Sequence, residues 1–473
     1  MSTRSHTTRR RGALPVTALL VTLALLAAAC GDSDSSEGTD GDEASTEADS
    51  TEDAASTSTE SPSTTSSAES TTTSPAPLTA SDRGVSEDTI AVGIMVPDAE
   101  QILALGVDLG WGDVQGHWEV AIGARHEAGG VLGRTLEPIF YTYLPVGSEF
   151  SDIGCVKLTQ DDEVFAVFGF IRPVENALCF TELNDTPVIG TTSRLTPEVE
   201  DRSLLPALAT VASPEASDRA MIAALEELGE LEGRRIAVHG REASRLDLLE
   251  SELDALGYDV VARTELSAPE EDSLALDSEL DVIVSRWITE DVDLVLNVTT
   301  SIALLGALNR AGFAVDMVTT ETDVTLDDRD GRGGTEEEFR RVRVVGPVGP
   351  GTLVEDGHEP SVECRERWNT ERPDEAAPTF PGEGELQNLG LVLTACAAVD
   401  VFAELATIAG PELTHENFDA ALESVGELEL AGHFAASLGP DKWSSPDLDV
   451  VSILGWDDEE GAFRAVGEPV AVG

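Results

Sequence analysis

The chain has 473 residues, 90 of them acidic against 29 basic, for a formal net charge of −61. So acidic a surface repels phosphates and excludes nucleic acid as a partner, and the length exceeds what one ordinary hydrophobic core organises, which points to more than one lobe. Lys157 and Lys442 are the only lysines, a balance that fits either adaptation to high salt or genome composition combined with solubility.

The first thirty residues, MSTRSHTTRRRGALPVTALLVTLALLAAAC, carry a basic start, an apolar run and small residues before a cysteine. That is the layout of an export signal. Its end, Ala27-Ala28-Ala29-Cys30, resembles the lipobox of bacterial lipoproteins, with Leu26 one place earlier than usual. The resemblance implies a signal peptide over 1–29, acylation of Cys30, and anchorage to the outer face of a bacterial cell membrane; a plain secretory signal or an uncleaved anchor helix is the alternative. Residues 30–84 are acidic, Ser/Thr-rich and almost free of apolar side chains. Such a segment cannot offset its ordering entropy and is expected to be a disordered tether, reaching roughly 40 Å as a coil. No second apolar run long enough to span a bilayer is expected downstream.

If Cys30 carries lipid, four cysteines remain in an oxidising compartment. Of the three possible pairings, the local ones are expected: Cys155 with Cys179 and Cys364 with Cys396. Each would contribute about 3.5 kcal/mol in the chain-entropy account. Four free buried thiols are the alternative, and no C-x-x-C occurs to suggest zinc or thiol redox chemistry.

Beyond the tether, strand-like and helix-like segments alternate. TIAVGIMV (89–96) reads as a strand, and VQGHWEVAIGARHEAGG (114–130) as a helix with Val114, Trp118, Ala121, Ile122 and Arg125 at helical spacing. Strand-like TLEPIFYTY, helix-like DIGCVKLTQ, strand-like VFAVFGF, a helix from about Pro173 and strand-like TPVIG follow. A second series begins near 214. Its helices are SDRAMIAALEELGEL, with Met221, Ile222, Leu225 and Leu228 on one stripe, and SRLDLLESELDALG, with Leu246, Leu249, Leu253 and Leu256 on another. RRIAVHG, YDVVART, VDLVLNVT, SIALLGALNRAG and AVDMVTT continue the alternation. Two series of βα units predict an α/β fold of two doubly wound, mostly parallel sheets.

The glycine-rich stretch EAGGVLGRTLE (127–137) is not a phosphate cradle. A dinucleotide fingerprint follows a strand and opens a helix, whereas here the helix comes first. Gly129 and Gly130 stand where a left-handed C-cap is needed, and Gly133 lies in the turn to the next strand. No P-loop, dinucleotide or nucleophile-elbow motif occurs elsewhere.

GGVLGR after the strand AVGIMV, followed by VFAVFGF, PVIGTTS, RRIAVHG and LTHENFDAALESVGELELAGHF…SLGP, resembles extracytoplasmic solute-binding proteins of ABC importers, of the branched-chain amino-acid type. The similarity runs from about 88 to 455. It implies a class I periplasmic-binding fold: lobe 1 from 85–210 and 346–440, lobe 2 from 211–345 and 441–473, with crossovers near 208–214, 343–351 and 438–446. It further implies a small-molecule ligand trapped by hinge closure, a permease partner in the membrane, and a monomer without cofactor or catalytic residues.

The strand ends also place a site on physical grounds. In GTTSRL, Thr191, Thr192 and Ser193 offer hydroxyls and N–H groups suited to a carboxylate, the role the resemblance gives this loop; alternatively they cap the next turn. In MVTTETDV, Glu321 falls where the family pairs an acid with a ligand amino group, although acids are frequent enough here for coincidence. Two loops depart from the family: Phe170, Ile171 and Arg172 follow VFAVFG, and HGREASRL replaces a tyrosine-glycine. Arg172 and Arg241 could each contact an anion or pair with surface acids. Trp111 is a candidate cleft wall and Trp118 a core residue.

LDDRDGRGGTEE (326–337) resembles a calcium loop but carries Leu326 at the first ligand position, so a solvated acidic loop is expected. The histidines lack zincin spacing, and Asn297-Val298-Thr299 is a glycosylation triplet in a predicted strand end. Three functions fit in descending order: an importer receptor for an amino acid or similar polar solute, a ligand sensor of the same fold, and a secreted enzyme, for which the sequence offers no nucleophile–base or metal set.

Overall fold

The computed structural model describes residues 78–105, 108–269, 272–299, 302–322, 335–381 and 385–472. The expected signal peptide, Cys30, the tether as far as residue 77 and most of the calcium-like stretch lie outside them. Residues 79–83, assigned by composition to the tether, are fastened to the folded body. Ser81 donates to the Leu413 carbonyl, and Arg83 to the carbonyls of Asn184 and Asp185.

Two sheets organise the chain. The first contains β1 (Thr89–Pro97), β2 (Thr135–Tyr143), β3 (Ala166–Gly169), β4 (Val188–Thr191) and β5 (Ala207–Ala209), all parallel, in the order β2-β1-β3-β4-β5. β3 and β4 are buried throughout, as parallel strands covered on both faces must be. The order reverses between β1 and β3, which makes the crevice beyond their carboxyl ends the place for a ligand.

The second sheet contains β6 (Ile236–Gly240), β7 (Val260–Glu265), β8 (Leu294–Asn297), β9 (Asp316–Thr319) and β10 (Val342–Pro347), mutually parallel. A hairpin, β11 (Gly426–Leu428) and β12 (Ala436–Leu438), lies apart from both sheets. The antiparallel strands β13 (Val450–Asp457), β14 (Ala462–Ala465) and β15 (Val470–Ala471) then extend the second sheet beyond β10.

Helices cover both sheets. α1 (Val114–Glu127) is capped by the Asp113 carboxylate and buries Val114, Trp118, Ala121 and Ile122. α2 (Pro214–Glu227) begins with a Ser213 cap and proline at its first position, the arrangement that suits orphan N–H groups. α3 (Ala243–Leu256) ends at Gly257 in the left-handed conformation. α4 (Ser273–Thr289), which the sequence reading omits, is capped by Asp272 and buries Leu280, Ile283, Val284 and Trp287.

α5 (Leu389–Ala409) corrects another expectation, because by length and composition it could cross a membrane. Here it is a core helix, packed on α1 and β4 with Val392, Ala395, Ala398, Val399 and Phe402 buried. The approach is so close that a Cβ on Gly190 would stand 2.1 Å from that of Ala398.

The chain passes from the first sheet to the second through 210–213, returns through 348–349 after β10, and passes again through 439–449. The end of β5 pairs with the third passage: the Ala209 N–H donates to the Trp443 carbonyl, and the Ser445 N–H donates to the Ala209 carbonyl. His433 lies beside both, its Nε2 3.1 Å from the Thr210 carbonyl and 3.1 Å from Ser445 Oγ.

The turn after α1 explains its glycines. Gly130 has φ +74°, and a side chain there would collide with the Arg134 carbonyl. Arg134, fully buried, donates to the carbonyls of Ser86, Thr79 and Pro411, holding the entry of the fold against its distant C-terminal half. The expected disulfides, Cys155–Cys179 and Cys364–Cys396, are both present.

His117 and His239 are fully buried, and burial pushes both imidazoles down to about 4. A histidine that titrates near 6.5 when unfolded and near 4 when folded stabilises the neutral fold above pH 6.5. That stability is lost as pH falls from 6.5 towards 4, by about 3 kcal/mol for each ring. Denaturant unfolding at pH 7 and pH 4.5 measures the loss, and His239→Gln should lose less between the two than the parent.

Candidate functional site

The carboxyl end of β4 stands opposite that of β9 across the crevice between the sheets. Arg194, in the turn after β4, reaches across it. Its Nη1 donates to Glu321 Oε1 at 2.9 Å and its Nη2 to the Thr320 carbonyl at 2.8 Å, just beyond β9.

Glu321 is held from behind as well. Arg245, in the first turn of α3, donates to the same Oε1 at 3.2 Å, to the Val298 carbonyl and to Thr320 Oγ1. Its remaining donors form a two-pronged contact with Asp218 of α2, both distances 2.7 Å. Burial works against the Arg245 charge, but the hydrogen bonds and attraction of Asp218 outweigh it and hold the guanidinium above its ordinary value.

The expected site residues separate into groups. Thr191 and Ser193 are buried and spend their side chains locally: the Ser193 N–H donates to Thr191 Oγ1, and Ser193 Oγ to the Ile171 carbonyl at 2.7 Å. They lock the turn after β4 to the loop after β3. Thr192 differs, since its hydroxyl is buried and has no partner.

Trp111 stands edge-on to Phe170, ring centres 6.0 Å apart, and the exposed Arg172 lies 6.0 Å from the same ring. Arg241, across the crevice, donates to the Ala268 carbonyl. Glu321 has both Arg194 and Arg245 on one carboxylate oxygen, so a ligand amino group there would compete with two guanidinium groups.

Beside this network lies a cavity of about 480 Å³. Thr192, Arg194, Thr210, Gly390 and Thr394 line it, with apolar walls from Val211, Val348, Leu393 and Phe434. A recess of about 20 Å³ adjoins it, sharing Thr192 and Thr394 and walled by Trp111, Trp118, Phe170 and His117. The cavity has the size and the mixed lining of a small-molecule site. Among the described residues no cluster of His, Cys, Asp or Glu is suited to a metal.

Arg194, Arg245 and Asp218 escaped the sequence reading, yet two of them left a signal. Asp218 occupies the apolar stripe of α2 with Met221, Ile222 and Leu225, and Arg245 that of α3 with Leu249 and Leu253. A charge on a buried stripe requires a partner on the neighbouring element.

No protein-family model matches the chain, and no curated protein matches it. Solved structures do. A substrate-binding protein of an ABC transporter from Desulfitobacterium hafniense, in complex with Leu, superposes with TM-score 0.57 at 14% identity, covering 80% of this chain and 100% of that one. A type 1 periplasmic binding protein from Bordetella pertussis gives 0.57 at 11% identity, covering 81% and 100%. A solute-binding protein of an ABC transporter from R. palustris, in complex with 4-hydroxybenzoate, gives 0.56 at 14% identity, covering 81% and 97%.

Two variants separate the inner and outer links of the network. Asp218→Asn leaves the buried Arg245 with only the partly exposed Glu321 as counter-charge and should cost about 3 kcal/mol of unfolding free energy. Arg194→Ala removes a half-exposed pair and should change stability by less than about 1 kcal/mol. It should instead enlarge the radius of gyration in X-ray scattering, because nothing then ties Glu321 to the opposite lobe. By its topology and its superposition on these structures, the chain has the fold of type 1 periplasmic binding proteins.

Proposed function

We propose that the protein is an extracytoplasmic substrate-binding receptor of an ABC importer, closing two lobes over a small polar solute such as an amino acid or a related organic acid. The observation that carries the reading is the cavity between the lobes, bounded by an unpartnered hydroxyl at Thr192 and by Arg194 bonded across the cleft. An apolar wall with a few polar groups selects a solute with an apolar body and one polar end. The leucine held by one of the superposed proteins has that character.

In this reading residues 1–29 direct export, Cys30 carries the lipid, the acidic tether lets the monomer reach its permease, and lobes assigned as 85–210 with 346–440 and 211–345 with 441–473 move as the jaws. Thr192 meets the solute, Trp111 walls the cleft beside it, and Arg172 and Arg241 lie at its margins. Glu321 fastens the closed form and exchanges Arg194 for a solute amino group where the solute has one.

A thermal-shift screen tests this with L-leucine, benzoate, 4-hydroxybenzoate, 4-methylpentanoate and their amides. A solute at a hundred times its Kd stabilises by about 2.7 kcal/mol. The expected outcome is a raised midpoint with at least one of them and contraction in X-ray scattering of Arg194→Ala on its addition. A flat response to all of them would remove the assignment.

A further inference from the structure

We propose that Arg194 decides the class of solute the cavity takes: its guanidinium holds the acceptors a solute ammonium group would need, so the receptor prefers solutes without a cationic group to amines and amino acids. The proposal deepens the solute-binding reading and rests on it.

The acceptors lie together just beyond β9. Glu321 Oε1 and the Thr320 carbonyl both receive the Arg194 guanidinium, at 2.9 and 2.8 Å. A carboxylate beside a carbonyl is a set that the three donors of an ammonium group could equally use. Thr320 is itself fixed, its hydroxyl donating to Asp218 Oδ1 at 3.1 Å and accepting from Arg245 at 3.2 Å. Arg194, Thr320 and Thr322 line the cavity, whereas Glu321, between the two threonines, does not. The solute space thus meets the guanidinium and not the carboxylate.

The balance of charge points the same way. Asp218 and Glu321 carry two negative charges, and Arg245 and Arg194 carry two positive ones. The network is neutral with Arg194 in place and has a carboxylate in excess without it. Asp447, the acid on the cavity wall itself, is matched as well: it pairs with Lys442 at 2.5 Å and accepts from Ser437 Oγ at 2.9 Å.

An ammonium group that enters the parent protein gives up its hydration and finds the acids facing it already paired. If it displaces Arg194, one ion pair replaces another, and the released guanidinium, of the same sign, stays tethered beside it. A solute without a cationic group meets neither cost. Arginine suits this task because its flat fork covers a carboxylate and a carbonyl at once.

Isothermal titration with 3-methylbutylamine, L-leucine and 4-methylpentanoate tests the assignment on the intact parent, Arg194→Ala, Arg194→Lys and the double variant Arg194→Ala, Glu321→Gln. Arg194→Ala should bind the amine at least about tenfold more tightly than the parent, as expected for a charge-assisted contact to an unmatched carboxylate. Arg194→Lys keeps a cation and should behave as the parent does, and the double variant should lose what Arg194→Ala gained. Equal affinity of parent and Arg194→Ala for the amine, a gain that survives Glu321→Gln, or a parent that prefers L-leucine to 4-methylpentanoate overturns the role of Arg194 and leaves the receptor reading intact. A parent silent towards every solute of the thermal-shift screen overturns both.

Discussion

One carboxylate oxygen, Oε1 of Glu321, accepts from both sides of the cleft at once, from Arg194 after β4 and from Arg245 of α3. Behind it the network runs through Arg245 to Asp218, and exposure of the side chains rises along the series: 0% for Asp218, 5% for Arg245, 24% for Glu321 and 29% for Arg194. That gradient separates two tasks. The inner pair is desolvated and two-pronged, so it fixes where Glu321 stands whatever the other lobe does. The outer pair is about a quarter exposed, where Coulomb attraction and desolvation nearly cancel, so breaking it would cost little.

All three passages between the sheets contribute to the wall of the cavity, through Thr210, Val348 and Asp447, so a rotation of one half against the other would reshape the space itself. A solute filling the closed shape biases the equilibrium by its difference in affinity between the two shapes, and by nothing else. A wide apolar wall with few polar groups suits a solute with an apolar body, whose orientation those groups would set.

Much of the scaffold was legible because parallel strands and their covering helices write themselves as apolar runs and stripes. β1, β6 and β9 stand within a residue or two of the segments read for them, and the paired local cysteines are joined. α5 was overlooked for a physical reason: an almost uniformly apolar helix has no polar face to mark its period, and burial on several sides removes the contrast that stripes provide. Residues 79–83 misled for the opposite reason. They look like tether because their attachment uses hydrogen bonds to carbonyls far away in sequence, which composition does not record.

At the site, the hydroxyl turn after β4 stood out, but the division of labour within it did not. Whether Thr191, Thr192 or Ser193 has a free hydroxyl depends on the Ile171 carbonyl, twenty-two residues from Ser193 along the chain. Arg194 sat inside the same short motif unremarked, since only the facing lobe gives its charge a purpose.

In a chain carrying −61, cations are scarce, and their placement shows which contacts matter most. Nearly all of them are arginine, whose flat fork of donors can satisfy several acceptors at once where lysine presents a single strongly hydrated charge. Arg134 joins three carbonyls from two distant parts of the chain, Arg245 joins two carboxylates, a carbonyl and a hydroxyl, and Arg194 spans the cleft. These three arginines sit at junctions within the fold, while many of the others pair with acids at the surface. At physiological ionic strength the surface field decays over about 8 Å. An anion inside the cavity would therefore respond to the local donors and not to the net charge.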